Sequence, residues 1–131
     1  MIIDSSAILA ILLEEKELPA FANAIERASA CRLSAATYVE IGVVIDARRR
    51  PLLNDRLISF LREIGSVIEP VTEVQARLAR DAHRRFGRSS GHRARLNFGD
   101  CFAYALARDK DEPLLFKGTD FGHTDIRSAL P

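Results

Sequence analysis

The sequence predicts a three-layer α/β/α fold, in which a short, mainly parallel sheet lies between helices. Short apolar runs of strand length alternate with longer segments whose apolar residues recur at helical spacing. Strands that alternate with helices form a mainly parallel sheet with both faces covered. The length of 131 residues and the hydrophobic content of 47% fit one domain, residues 1–131, with a single modest core.

The first elements are separated by polar residues. An apolar run over residues 1–3 predicts a buried strand that stops at Asp4. Apolar residues at helical spacing predict a helix over residues 5–15 and a second helix over residues 18–30. A second short strand is predicted over residues 31–33.

Capping and helix-breaking residues define the next two helices. Ser34 or Thr37 is predicted to cap a helix that continues to Arg50. Pro51 cannot continue that helix, but it suits the first turn of the following one. Gly65 is predicted to end this next helix.

The remaining elements repeat the alternation. Residues 67–71 form the third predicted strand, and Thr72 is predicted to cap a helix that ends at Phe86. A polar loop then leads to a helix over residues 97–106. The last predicted strand covers residues 114–117, after a proline.

Charge and cysteine content restrict the class of protein. A formal net charge of +1 excludes a uniformly basic chain. Cys31 and Cys101 lack the spacing of a zinc site or a redox pair, which predicts a reducing, cytoplasmic environment. The sequence shows no signal peptide and no apolar run of membrane-spanning length, so no membrane association is expected.

Four acidic residues are predicted to meet at one edge of the sheet, where strands lead into helices. They are Asp4, Glu40, Asp100 and Asp120. Each could instead be an ordinary helix cap or turn residue. Carboxylates about 5 Å apart would repel by roughly 3 kcal/mol per pair at an effective dielectric of about 20, so a cluster requires a cation. An oxygen-only ligand set favours Mg²⁺ or Mn²⁺, which can activate water for attack on phosphorus.

Each of the four acidic residues lies in a short segment with a recognisable pattern. The segments are Ile3-Asp4-Ser5-Ser6-Ala7, Thr37-Tyr38-Val39-Glu40-Ile41, the residues 96–104 around Asp100, and the residues 114–121 that contain Asp120. In order and spacing they resemble the PIN-domain ribonucleases, and more narrowly the VapC-type toxins of bacterial toxin–antitoxin pairs. The resemblance implies a PIN-like fold and a metal-dependent endoribonuclease that uses Mg²⁺ or Mn²⁺.

The resemblance also implies roles for the acidic residues. Asp4, Asp100 and Asp120 correspond to metal ligands, and Glu40 completes the acidic ring and orients or deprotonates the attacking water. Asp125 is a weaker additional candidate for this ring.

Two polar residues are expected to support this site. Ser6 matches a hydroxyl residue of the family and is predicted to orient a carboxylate, although it could be an ordinary serine at a helix start. Asn97 is predicted mainly to cap the Asp100 helix, and a contact with substrate or metal-bound water is the second interpretation.

Three arginines precede the Asp100 helix and are candidates for RNA binding. Arg88, Arg93 and Arg95 lie in a basic loop, where guanidinium groups would contact phosphates without recognising sequence. A solvated surface is the alternative interpretation.

The resemblance implies an RNA substrate, a small inhibitory VapB-type antitoxin and a homodimer. Two other functions remain open at this stage. One is another Mg²⁺-dependent phosphohydrolase or phosphotransferase, with Asp4 as nucleophile and Lys117 as a phosphate clamp. The other is a non-catalytic RNA-binding module whose acidic residues are only caps.

Overall fold

Four short parallel strands form the centre of the fold. The computed structural model describes residues 1–131. The strands occur in the spatial order β3-β2-β1-β4, and every neighbouring pair is parallel, which confirms the predicted sheet. Their bounds are Ile2–Ile3 for β1, Arg32–Ser34 for β2, Val67–Glu69 for β3 and Leu114–Leu115 for β4.

Six α-helices cover the sheet. They are α1 (Ser5–Leu12), α2 (Leu18–Arg27), α3 (Ala35–Ala47), α4 (Leu52–Glu63), α5 (Glu73–Phe86) and α6 (Asp100–Lys110). Two short 3₁₀ helices, Arg88–Ser90 and Phe121–His123, complete the secondary structure. The longest helix, α5, has 14 residues, and no helix has the length and apolarity to cross a membrane.

Three helices end three residues or more before the predicted position, and one of them, predicted over residues 18–30, ends at Arg27, after which Ala28 is extended. The other two have a different cause. The helix predicted over residues 5–15 ends at Leu12, and the one predicted to reach Arg50 ends at Ala47. Soon after each end, a residue adopts a left-handed backbone conformation: Glu14 has φ of 56° and Arg49 has φ of 50°. A right-handed helix cannot continue through such a residue.

The helices and the sheet enclose two hydrophobic cores, one on each face, and not the single core that the sequence predicts. Each core contains 14 buried residues. Ile2 and Leu114 belong to the core beneath α5 and α6, whereas Ile3 and Leu115 belong to the core beneath α1 to α4. Successive strand residues point to opposite faces, so a two-residue strand contributes to both cores. This arrangement confirms the three-layer architecture.

Polar side chains cap the helices that follow the strands. Asp4 caps α1 by accepting a hydrogen bond from the Ser6 backbone N–H. Ser34 caps α3 by accepting a bond from the Ala36 N–H at 3.2 Å, which decides between the two caps predicted for this helix. Both caps lie at the carboxyl ends of adjacent strands, which places the starts of α1 and α3 at one edge of the sheet.

Candidate active site

Asp4 is a buried carboxylate at the end of β1. Its residue is only 1% exposed. The Oδ2 atom accepts hydrogen bonds from the Ser6 N–H at 3.0 Å and from the Ser6 hydroxyl at 2.5 Å, while Oδ1 accepts none. Burial raises the pKa of Asp4, although the bonds from Ser6 act in the opposite direction. One oxygen is therefore fixed and the other is available to a ligand.

The Ser6 hydroxyl connects two segments of the site. It donates to Asp4 and accepts a hydrogen bond from the Lys117 backbone N–H at 3.0 Å. Lys117 lies just after β4, in the segment that leads to Asp120. Ser6 thus orients the Asp4 carboxylate and holds the loop after β4 beside it.

Glu40 enters the site from the second turn of α3. Its Oε2 atom is buried and accepts no hydrogen bond. Burial raises the pKa of Glu40, and the negative charge of Asp4 raises it further, against the effect of a hydrogen bond from the Ser5 hydroxyl. Glu40 and Asp4 are therefore close enough to interact electrostatically.

Asn97 and Asp100 form a reciprocal pair at the start of α6. The Asn97 N–H donates to Asp100 Oδ2 at 2.7 Å, and the Asp100 N–H donates to Asn97 Oδ1 at 2.9 Å. This is the geometry of a capping box, which confirms the predicted capping role of Asn97. The bond fixes one Asp100 oxygen and so restricts the orientation of the carboxylate.

The pKa of Asp100 is affected by the other three predicted acids. Burial raises this pKa to about 7, and the negative charges of Asp4, Glu40 and Asp120 all contribute to the increase. The structure therefore brings the four carboxylates together electrostatically. It does not bring three of them into a geometry that could hold a metal ion, because no such group of His, Cys, Asp or Glu side chains is present.

The chemistry of this donor set nevertheless fits a hard divalent cation. Two buried carboxylate oxygens, on Asp4 and Glu40, have no hydrogen-bond partner. Buried charges of one sign are costly unless they are compensated, and oxygen atoms are the ligands that Mg²⁺ and Mn²⁺ prefer. The residues thus match the predicted ion in charge and atom type.

We expect the metal-free protein to become less thermally stable as pH rises from about 5.5 to 7.5. The folded state holds the Asp100 proton up to a pKa of about 7, whereas an aspartate side chain in water has an ordinary pKa of 3.8. Between these values the folded state binds more protons than the unfolded state, so the free energy of unfolding falls with rising pH. The expected decrease in Tm is about 4 °C, after allowance for the partial exposure of Asp100.

Thermal unfolding in EDTA, followed by circular dichroism at several pH values, would measure this slope. The matched control is Asp100→Asn, which cannot titrate at this position and should reduce the slope, leaving the contribution of the raised pKa values of Asp4 and Glu40. A wild-type Tm that is constant or rises over this range would contradict the assigned pKa.

Gly99 is a component of the site that the sequence does not reveal. A Cβ atom at this position would lie 2.1 Å from Glu40 Oε1 and 2.5 Å from Glu40 Cδ. The backbone of Gly99 has ordinary helical angles, φ of −64° and ψ of −42°, so no turn requires glycine here. The only sequence signal is a glycine at the start of a predicted helix, where other residues are more favourable.

The predicted basic loop leads into this site. Arg88, Arg93 and Arg95 are exposed, and none of them forms an ion pair. Arg88 Nε donates a long hydrogen bond of 3.4 Å to the Arg95 carbonyl oxygen. Their guanidinium groups are consequently available to an external anion.

Three further residues that the sequence suggests for the site are Asp120, Asp125 and Lys117, and they differ in their hydrogen bonds and ion pairs. The side chain of Asp120, immediately before a 3₁₀ helix, makes no capping hydrogen bond. Asp125 accepts hydrogen bonds from the Tyr104 hydroxyl at 2.7 Å and from Arg85 at 3.0 Å, so its carboxylate already has partners. Lys117 forms an ion pair with Glu15, which argues against its use as a phosphate clamp.

Comparison with known proteins gives consistent matches. A family model described as PIN domain matches residues 1–127. The chain is 55% identical over 130 residues to VapC ribonuclease Mb0625 of Mycobacterium bovis, covering 99% of this chain and 98% of that protein. It is 46% identical over 129 residues to ribonuclease VapC42 of Mycobacterium tuberculosis, covering 98% of each chain.

A solved structure supports the fold. The crystal structure of Mycobacterium tuberculosis VapC20, described as a sarcin–ricin loop cleaving toxin, matches with a TM-score of 0.77 and covers 99% of this chain and 98% of that one. Its sequence identity is 15%, so this match concerns architecture alone. Together with the family model and the two ribonucleases, it confirms the resemblance seen in the sequence. The chain belongs to the PIN-domain family and, within it, to the VapC-type ribonuclease toxins.

Proposed function

We propose that this ribonuclease hydrolyses RNA phosphodiester bonds with a divalent ion, Mg²⁺ or Mn²⁺, held by the acidic site. The observation that carries this proposal is a pair of buried carboxylate oxygens, Asp4 Oδ1 and Glu40 Oε2, that have no hydrogen-bond partner. Buried carboxylates without hydrogen-bond partners destabilise the folded protein unless a cation compensates their charge, so this site is suited to a cation. Asp4, Asp100 and Asp120 are the proposed ligands, with Glu40 completing the ring.

The chain's own residues would then have distinct tasks. A bound divalent ion supplies a positive charge for the phosphate oxygens and lowers the pKa of water. Glu40 has a free buried oxygen and a raised pKa, which suits a group that accepts the proton of the attacking water. As the water oxygen would form its bond to phosphorus, the bond from phosphorus to one ester oxygen would break; the water proton would pass to Glu40, and the leaving oxygen would take a proton from solvent.

Positioning of the ligands falls to Ser6 and Asn97. Each holds one oxygen of a proposed ligand: Ser6 bonds to Asp4, and Asn97 bonds to Asp100. Such outer hydrogen bonds fix the direction in which the other oxygen points. Arg88, Arg93 and Arg95 are proposed to contact RNA phosphates before the site, without selecting a sequence.

The proposed protein partners are a small VapB-type antitoxin and a second copy of the chain. A basic side chain from the antitoxin would neutralise the acidic cluster and so compete with the metal ion. Val39 and Val43 on α3 are each 63% exposed and offer apolar surface to a protein partner. Both proposals predict that partner binding covers part of α3.

Cleavage of a structured RNA mixture by the purified protein tests the proposed function. We expect defined cuts with Mg²⁺ or Mn²⁺ and none with EDTA, because the acidic residues alone cannot neutralise the phosphate. Equal cleavage in EDTA would overturn the metal-dependent mechanism. Binding of RNA without cleavage in either metal would instead favour the non-catalytic module.

A further inference from the structure

An open groove lies between α5 and the start of α6, beside the acidic site and separate from it. Its volume is ≈ 1140 Å³. Small side chains such as Ala76 and Ala79 form part of its wall, and Phe98 and Phe102 form another part. None of the four acidic residues lines it. The proposed reaction therefore assigns no task to this groove.

Phe98 is the most unusual residue of the groove. It is 80% exposed, more than any other large hydrophobic residue of the chain. Its ring contacts Phe102 edge to face, with centroids 5.0 Å apart and an interplanar angle of 82°. This contact fixes the ring direction while most of the side chain stays in solvent. An oriented, exposed aromatic ring is suited to stacking with a planar ligand.

The charge of the groove indicates what kind of planar ligand fits. Arg77 pairs with Glu73 at 2.6 Å, and Arg84 pairs with Asp81 at 2.5 Å. Arg80 also lines the groove, is exposed, and forms no ion pair. An unpaired guanidinium and an exposed aromatic ring in the same groove complement a ligand that has both a phosphate and a base.

A short stretch of backbone at the start of α6 connects the groove with the acidic site. Phe98 precedes Asp100 by two residues, and two trans peptide units span at most about 7.6 Å between Cα atoms. Gly99, between them, faces the Glu40 carboxylate. The groove and the acidic site are therefore separated by about one nucleotide length or less at this point of the backbone.

We propose that the groove binds one nucleotide of single-stranded RNA next to the bond that is cut. Its base stacks on Phe98, and its phosphate contacts Arg80. This proposal rests on the proposed ribonuclease function and adds a binding site to it. Stacking on an aromatic ring accepts any base, so the groove contributes affinity and requires an unpaired strand. Val39 and Val43, the exposed aliphatic residues of α3, lie outside the groove.

Steady-state cleavage of a short single-stranded RNA by Phe98→Ala and Phe98→Tyr provides the first test. Loss of one stacked base should raise KM about 5- to 150-fold in Phe98→Ala, with kcat within about twofold of wild type. Phe98→Tyr keeps the ring and should retain the wild-type KM. Unchanged kinetics in Phe98→Ala would overturn the proposal while leaving the ribonuclease function intact. Absence of cleavage by wild type would count against the proposed function.

A fluorescence experiment tests binding independently of cleavage. The chain contains no tryptophan, so Phe98→Trp introduces a single reporter. In an Asp4→Asn background, a short single-stranded RNA should quench this tryptophan, because the base stacks on it. Leu52→Trp, at a position that is 72% exposed on α4, is the matched control and should show no quenching. An abasic strand of the same length should also fail to quench Phe98→Trp.

Two results of this experiment would overturn the proposal. Equal quenching by the abasic strand would show that phosphate binding alone is responsible. A change in Phe98→Trp emission with protein concentration, in the absence of RNA, would show that a second copy of the chain covers this face.

Discussion

Replacing Asp4 by Asn is expected to reduce RNA cleavage by about 10²- to 10⁴-fold without unfolding the protein. The Asn side chain keeps the size of Asp and one oxygen that can accept the hydrogen bonds from Ser6. It removes the negative charge that the site offers to a cation. Because burial disfavours the charged form of Asp4, the neutral variant should have an equal or higher Tm in EDTA.

The measurement is RNA cleavage with Mn²⁺, together with thermal unfolding of each variant in EDTA. Asp100→Asn should give a similar loss of activity. Asp55→Asn, at an exposed position in the first turn of α4, is the matched control and should keep wild-type activity. Activity that persists in folded Asp4→Asn and Asp100→Asn would place the reaction at another site.

Gly99→Ala is expected to reduce cleavage by about 10- to 100-fold, a range typical of changes to groups that orient the ligands of a metal. Alanine is favourable at the helical backbone angles of this residue. Its Cβ atom would nevertheless lie 2.1 Å from Glu40 Oε1, so the Glu40 carboxylate must move. The expected loss arises from this displacement and not from backbone strain.

Two controls isolate the steric effect of the methyl group. Gly42→Ala adds the same group within α3, where no atom lies within 4 Å, and should stabilise the protein by roughly 0.5–1 kcal/mol with full activity. In a Glu40→Ala background, Gly99→Ala should cause no further loss, because the side chain it displaces is absent. The same fractional loss in both backgrounds would show that Gly99 acts independently of Glu40.

Much of the fold follows from local sequence signals. The alternation of apolar runs and helical patterns predicts the parallel sheet and all six helices, and the positions of Thr72 and Pro51 agree with the helix starts. The ends of α1 and α3 depend on single residues with positive φ, Glu14 and Arg49, whose types are not specific for that conformation. The predicted helices on both faces of the sheet already imply apolar contacts on each side, but a two-residue strand is too short to show which of its residues faces which core.

The candidate site also contains residues that the sequence predicts and residues that only the structure reveals. Asp4 is conspicuous in the sequence because a charged residue interrupts two apolar runs. Asn97 and Asp100 have the spacing of a capping box, and the structure contains that box. Gly99 could not be predicted because its requirement comes from Glu40, which is distant in the sequence. Phe98 gives no local signal either, since only a folded structure shows that its ring is exposed.

The pairing of β1 with β4 has a consequence for how the toxin is made. A ribosome adds Asp4 about a hundred residues before Asp100, and it adds Lys117, whose N–H bonds to Ser6, and Asp120 later still. A nascent chain that ends at α5 lacks β4 and half of the acidic cluster. We therefore expect no RNA cleavage until the segment through Asp120 has been translated and has folded onto β1, so that synthesis itself delays the toxin's action on the RNA around it.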